Sequence, residues 1–160
     1  MNETVVKNKK HGSLPDDMLL TFLMTFTFAA YSYESRITEG IAKLFGILIF
    51  AVFILTWIIT AIKNGTEKKK GFVIYSAACW IIPQIIILLF YNGPQLFRHS
   101  VILYTLSEFS AFFSTRPAEL IGTFTGITTE MAFVIILITI AGSFFAGFAY
   151  AKEKEAAKQS

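Results

Sequence analysis

Four long apolar runs, separated by short polar stretches, dominate this chain. They cover about residues 15–33, 41–62, 72–91 and 129–150. A helix needs about 20 mainly apolar residues to cross a hydrocarbon layer of about 30 Å, and each run meets or approaches that length. The pattern predicts an all-helical (all-α) integral membrane protein, with four transmembrane helices in a single membrane domain that covers residues 1–160.

The first run is the shortest, and its length depends on where the helix begins. Its uninterrupted apolar part, 18–30, spans the bilayer only if the helix starts near Pro15. Ser13 can cap that start together with Asp16, and proline is well tolerated in a first helical turn. A cleaved signal peptide is the alternative, with the small-x-small sequence at 30–32 as its cleavage site.

The stretch between the third and fourth spans has a different pattern. Asn92-Gly93-Pro94 ends the third span, and residues 97–113 then predict an amphipathic helix. One face of it is apolar and the other carries a histidine and serines: Val101, Ile102, Leu106, Phe109, Phe112 and Phe113 against His99, Ser100, Ser107, Ser110 and Ser114. Three placements remain open: in the outer headgroup layer, re-entrant or packed on the bundle, or as a fifth span.

Lysines lie almost entirely on one side of the predicted spans. Ten of them occur in an amino tail (1–12), in the loop after the second span or in a carboxy tail (152–160): Lys7, Lys9, Lys10, Lys63, Lys68, Lys69, Lys70, Lys152, Lys154 and Lys158. Basic residues favour the cytoplasmic side, so both termini are predicted to be cytoplasmic. A fifth span would place the carboxy tail outside, which this bias disfavours. Size, short loops and a Lys/Ile/Phe-rich character indicate a bacterial plasma membrane.

Composition agrees with a membrane protein. The mean hydropathy is +0.59, and 17 of the 160 residues are Phe. The lysines at span ends are explained by anionic headgroups, so the net charge of +3 does not indicate a nucleic-acid partner. The single cysteine, Cys79, excludes an internal disulfide, a multi-cysteine metal site and a two-cysteine redox relay.

The third span contains the candidate polar notch of the bundle. Pro83 removes a helical hydrogen bond and can kink the helix beside Gln84 and Trp80, which would expose polar groups. The competing interpretation is that Gln84 bonds to a neighbouring helix and contributes only to packing.

A second candidate region is the outer face, where charged side chains gather. Arg98, His99, Glu108 and Arg116 are predicted to lie there and could contact a ligand or a protein. An ordinary solvated rim of salt bridges is the competing interpretation. No residue set in the sequence predicts catalysis, a cofactor or a metal ion.

Small residues at helical spacing predict close helix packing near the carboxyl end. Gly122 and Gly126 form a GxxxG sequence, and Gly142 with Ala146, then Ser143 with Gly147, repeat the spacing. Such residues serve packing inside a bundle at least as often as they form a dimer face.

Together these patterns predict a small multi-pass membrane protein without catalytic activity. We expect an accessory, assembly or protective (immunity-like) subunit whose partners are the lipid bilayer and either another membrane protein or a second copy of the chain. Two alternatives remain: a small transporter or channel component that uses the notch, and an outer-surface lipid-binding protein or membrane enzyme that uses His99, Glu108 and Arg116.

Overall fold

The computed structural model describes residues 13–32, 40–94 and 99–158, and this part of the chain is almost entirely helical without a strand. In the described ranges, six α-helices and a π-helical segment follow one another: α1 Leu14–Ser32, α2 Gly40–Thr66, α3 Lys70–Asn92, α4 Val101–Ser110, the π-helical segment Ala111–Thr115, α5 Arg116–Thr125 and α6 Thr129–Ala156. Among the described residues, three helices are long and apolar enough to cross a membrane, namely α2, α3 and α6. The 19-residue α1 is not one of them.

Local capping chemistry sets several helix ends. The Ser13 amide donates to the Asp16 carboxylate at 2.8 Å, and the Asp16 amide donates to the Ser13 hydroxyl at 3.4 Å. This exchange is the predicted cap, and it satisfies two amides that the first helical turn leaves without backbone partners. At the start of α6, the Thr128 hydroxyl accepts from the Met131 amide at 3.3 Å.

The loop after α2 is shorter than the predicted 63–71. α2 continues through Asn64 to Thr66, and the Asn64 side-chain amide donates to the Thr60 carbonyl at 2.9 Å. The turn centres on Lys68, whose φ of 55° lies in the left-handed region, and α3 begins at Lys70. A turn this short makes α2 and α3 antiparallel neighbours.

Two ion pairs bring the start of α1, the turn after α2 and the end of α6 to one end of the bundle. Lys63 on α2 pairs with Asp17 at the start of α1, at 2.7 Å. Lys68 pairs with Glu155 at the end of α6, at 2.6 Å. We call this the lysine end and the opposite one the far end. At the far end, the Tyr31 hydroxyl donates to the Ala42 carbonyl near the start of α2.

Aromatic side chains fill the middle of the bundle. Phe28 stacks on Phe53 at a centroid distance of 4.8 Å, and Trp57 meets Trp80 edge to face at 5.9 Å. All four rings are at most 1% exposed. Large rigid rings therefore join α1, α2 and α3 into one core, against which α6 packs through Ile136.

Residues 101–125, which we call the bent segment, enter the bundle from the far end and return to it. Tyr104 lies beside Phe90 near the end of α3, with ring centroids 5.8 Å apart. Deeper in the bundle, Phe113 stacks on Phe22 in the middle of α1 at 5.1 Å. The segment ends at Thr125, and only three residues separate it from the start of α6 at the far end. Its two ends therefore lie on the same side of the bundle.

The bend coincides with the π-helical segment. The Arg116 amide donates to the Ala111 carbonyl five residues earlier instead of four. Pro117 follows directly and has no amide hydrogen to donate. The widened turn and the missing donor interrupt the regular hydrogen bonding and let the helix change direction.

The serines of the bent segment face inward, whereas the apolar residues at the start of α4 face outward. Ser107 is 2% exposed and Ser114 is fully buried, whereas Val101 is 77% and Ile102 is 72% exposed. Small hydroxyl residues let α4 approach α3 closely, and the Ser114 hydroxyl is satisfied by the Ser110 carbonyl at 2.8 Å. The helix starts at Val101 and continues past residue 113, so its bounds differ from the predicted 97–113.

Candidate functional site

The Glu108 carboxylate faces outward from the bent segment, amid apolar side chains. It is exposed on the same side of α4 as Val101 and Phe109, which are 77% and 55% exposed. In the part of the chain that the structure describes, the Glu108 side chain forms neither a hydrogen bond nor an ion pair. A free carboxylate on an apolar outer surface is unusual, because such surfaces otherwise avoid charge.

Neighbouring contacts give the level of Glu108 along the bundle. Tyr104, one turn before it, lies beside Phe90 near the far end of α3. Phe109, directly after it, lines a cavity with Pro83 in the middle of α3. The Glu108 carboxylate therefore lies at a level between the far end and the middle of α3, which is about 34 Å long.

The other residues predicted for the outer face are separated from Glu108. His99 is exposed just before α4. Arg116 pairs with Glu119 one turn later in α5, at 2.8 Å. No hydrogen bond or ion pair joins Glu108 to either His99 or Arg116 among the described residues, and Arg98 lies outside them.

The predicted notch residues of α3 face different neighbours. The Gln84 amide donates to the Ser114 hydroxyl at 3.0 Å and to the Thr115 hydroxyl at 3.4 Å, so it joins α3 to the bend. Trp80 faces the aromatic core instead, is 1% exposed, and its indole N–H has no hydrogen-bond partner within the described chain. Pro83 lines a cavity of ≈ 250 Å³ together with Phe22 and Phe113.

A buried polar cluster that is absent from the sequence-based predictions lies at the lysine end. Asp17 is 6% exposed; its carboxylate accepts from Lys63 at 2.7 Å and from the Asn64 side-chain amide at 2.9 Å. Asn64 is fully buried, and its side-chain oxygen has no hydrogen-bond partner in the described residues. The signal that could have shown this inward face is the spacing of Asp17, Thr21 and Thr25 at every fourth residue.

The inward face of α1 continues toward the middle of the bundle. The Tyr75 hydroxyl donates to the Met18 carbonyl at 2.8 Å and lies 3.1 Å from the Thr21 hydroxyl. The Trp57 indole N–H donates to the Thr25 hydroxyl at 3.0 Å. Each of these bonds links α1 to α2 or α3, so these polar groups hold helices together.

The predicted small residues differ in what surrounds them. Gly122 is buried, and a Cβ there would stand 2.7 Å from the Ile127 carbonyl oxygen. Gly126 has open space around it, but its φ of 76° ends α5 in the left-handed region that favours glycine. Gly142 also has open space, and Ala146 is exposed.

Gly147 and Gly65 lie where α2 and α6 approach most closely. A Cβ on Gly147 would stand 2.2 Å from the Ile62 carbonyl oxygen, and one on Gly65 would stand 2.1 Å from the Phe144 carbonyl oxygen. Both glycines therefore permit backbone contact between these helices.

No group of three potential metal ligands occurs in the described part of the chain. No family model, curated protein or solved structure matches the sequence or the fold.

Proposed function

We propose that the chain crosses a bacterial plasma membrane four times, through α1, α2, α3 and α6, with both termini in the cytoplasm. Clustering of lysines at one end of the bundle supports this orientation, because basic residues favour the cytoplasmic side. Retention of α1 is supported by its packing, since Phe28 and Ala29 are fully buried. The bent segment is then a re-entrant helix that enters from the outer side, its irregular turn shielded by α1 and α3.

Within that arrangement, the protein is an accessory, assembly or protective subunit that binds another membrane protein through the outward face of α4. The observation that carries this proposal is the exposed Glu108 carboxylate among apolar side chains, which has no ion-pair partner among the described residues. A carboxylate at membrane depth is costly unless it meets water, a cation or a donor, and such residues mark functional sites. A basic or hydrogen-bond-donating group on a neighbouring transmembrane helix would satisfy it.

Several polar side chains that join helices support a non-catalytic role. Gln84 bonds to the bend, Tyr75 bonds to α1, and Asp17 is held between Lys63 and Asn64. Side chains already engaged in joining helices are poorly placed to bind and release a substrate.

The test is purification of the tagged protein from its native membrane in mild detergent, with measurement of particle mass and identification of every component. We expect a second membrane protein in stoichiometric amount. Glu108→Gln removes the charge with little change in shape and is expected to lower recovery of that partner at least several-fold. Glu153→Gln changes an exposed carboxylate on the tail of α6 and serves as the matched control.

Two outcomes would overturn the proposal. A homogeneous particle that contains only this chain, as one copy or several, would favour a self-contained protein. Equal partner recovery with Glu108→Gln and Glu153→Gln would show that binding of the partner does not depend on the Glu108 carboxylate.

A further inference from the structure

A continuous apolar groove runs between α3 and α6 from the lysine end toward the middle of the bundle. Two adjoining cavities of ≈ 410 Å³ and ≈ 220 Å³ form it, and they share Val73, Phe144 and Phe145 as lining residues. The groove extends along α6 from Phe148 to Leu137. That distance is about 16 Å at 1.5 Å per residue, close to half of a hydrocarbon layer of about 30 Å.

Packing explains why this groove exists. α6 follows α2 closely because glycines permit backbone contact there, and it touches α3 only sparsely. The facing positions carry small side chains, Ser76 and Ala77 on α3 and Ala141 on α6. Small residues on two helices that touch only sparsely leave room for a slender apolar ligand.

Two lysines stand at the mouth of the groove. Lys68 and Lys70 both line the ≈ 410 Å³ cavity, which lies at the lysine end of the groove. Lys68 pairs with the Glu155 carboxylate at 2.6 Å, but both side chains are well exposed, 41% and 61%, so the pair is weak. Lys70 is exposed and forms no ion pair with a described residue. Each lysine is thus able to attract an anion at the headgroup level.

We propose that this groove binds an anionic phospholipid of the inner leaflet. One acyl chain lies along Val73, Phe144 and Leu137, and the phosphate is held by Lys68 and Lys70. Charge and shape select the ligand together: the groove matches one leaflet in length, and basic groups between transmembrane helices at the cytoplasmic side recognise anionic headgroups. The site lies at the opposite end of the bundle from Glu108 and does not depend on the proposed partner.

The proposal can be tested by reconstituting the purified protein into bilayers of equal parts phosphatidylglycerol and phosphatidylcholine. The protein is then extracted in mild detergent, and native mass spectrometry counts the lipids it retains. We expect preferential retention of phosphatidylglycerol by about tenfold or more, since each lysine near the surface contributes to anionic binding. Lys68→Gln combined with Lys70→Gln is expected to abolish the preference.

A matched control is Lys152→Gln combined with Lys154→Gln, which changes the net charge equally on an exposed part of α6 outside the groove lining. This control should keep the preference. If both double variants lose the phosphatidylglycerol preference equally, the preference arises from general surface charge, and the proposed site is overturned. Equal retention of the two lipids by the unchanged protein would overturn it as well.

The acyl-chain part of the site has its own variant. Ala141→Phe fills the groove and is expected to reduce retention of both lipids while melting stays cooperative. If that variant does not fold, Ala77→Leu provides a smaller obstruction with the same expectation. Binding of inorganic phosphate in place of lipid, unaffected by Ala141→Phe, would show a free-phosphate site and contradict the proposal.

Discussion

Gly147 lies directly against the backbone of Ile62, so that a Cβ on the glycine would stand 2.2 Å from the Ile62 carbonyl oxygen. No side chain fits into that distance, and the contact depends on glycine having none. The contact belongs to the α2 and α6 pair, which is the most extensive helix pairing in the described fold. These helices are held together by backbone proximity, without a hydrogen bond or an ion pair between Gly147 and Ile62.

We predict that Gly147→Ala separates α2 from α6 and lowers the free energy of unfolding by about 2 kcal/mol, in the range typical of overpacking. Thermal melting or denaturant titration of the purified protein in detergent measures the change. Gly142→Ala on the same helix is the control, because nothing lies within 4 Å of a Cβ there. Equal stability of the two variants would contradict the close contact.

Asp17→Asn is predicted to destabilise the bundle by about 1–3 kcal/mol, because removing the charge breaks a largely buried pair with Lys63. The same change at the preceding residue, Asp16→Asn, should cost far less. Asp16 is exposed, and an asparagine there can still accept from the Ser13 amide. A melting experiment that ranks the two variants in the reverse order would refute the role of the buried cluster.

The contact between Gln84 and Ser114 can be measured with a double-mutant cycle. Gln84→Leu, Ser114→Ala and the double variant should give a coupling free energy of about 0.5–1 kcal/mol, typical of hydrogen bonds between transmembrane helices. Ser114→Ala also removes the bond to the Ser110 carbonyl, and the cycle subtracts that effect. Additive single effects would mean that the amide and the hydroxyl do not interact.

The return of the bent segment to the far end predicts a pattern of chemical labelling in cells. With Cys79 replaced by Ala, single cysteines at His99 and Thr123 should both react with a membrane-impermeant maleimide added outside. A cysteine at Lys154 should react only after the membrane is permeabilised. Labelling of His99 and Thr123 from opposite sides would establish a fifth span and reject the re-entrant arrangement.

The positions of the helices could largely be predicted from the sequence. The length and apolar character of a run decide whether it suits a membrane span, and both depend only on the residues of that run. The predicted runs 41–62, 72–91 and 129–150 lie inside α2, α3 and α6, which are the helices of the described ranges with the length and apolar composition of membrane spans. Helix ends were also partly predictable: Ser13 and Asp16 cap α1 as expected, since that exchange needs only residues three apart. The end of α2 was predicted too early, because Asn64 and Gly65 favour a turn locally, whereas in the bundle Asn64 bonds to Asp17 and Gly65 lies against α6.

Neighbouring helices decided what each polar residue does. The alternation of serine and apolar positions in the bent segment was visible in the sequence, but only packing against α3 shows that Ser107 and Ser114 face inward and leave Glu108 outside. Likewise, the sequence indicates only that Asp17 is an acidic residue in the first turn of a helix. The structure shows that Lys63 and Asn64 of α2 bond to its carboxylate. Periodicity shows that two faces differ, whereas the partner of each face depends on contacts between residues far apart in the chain.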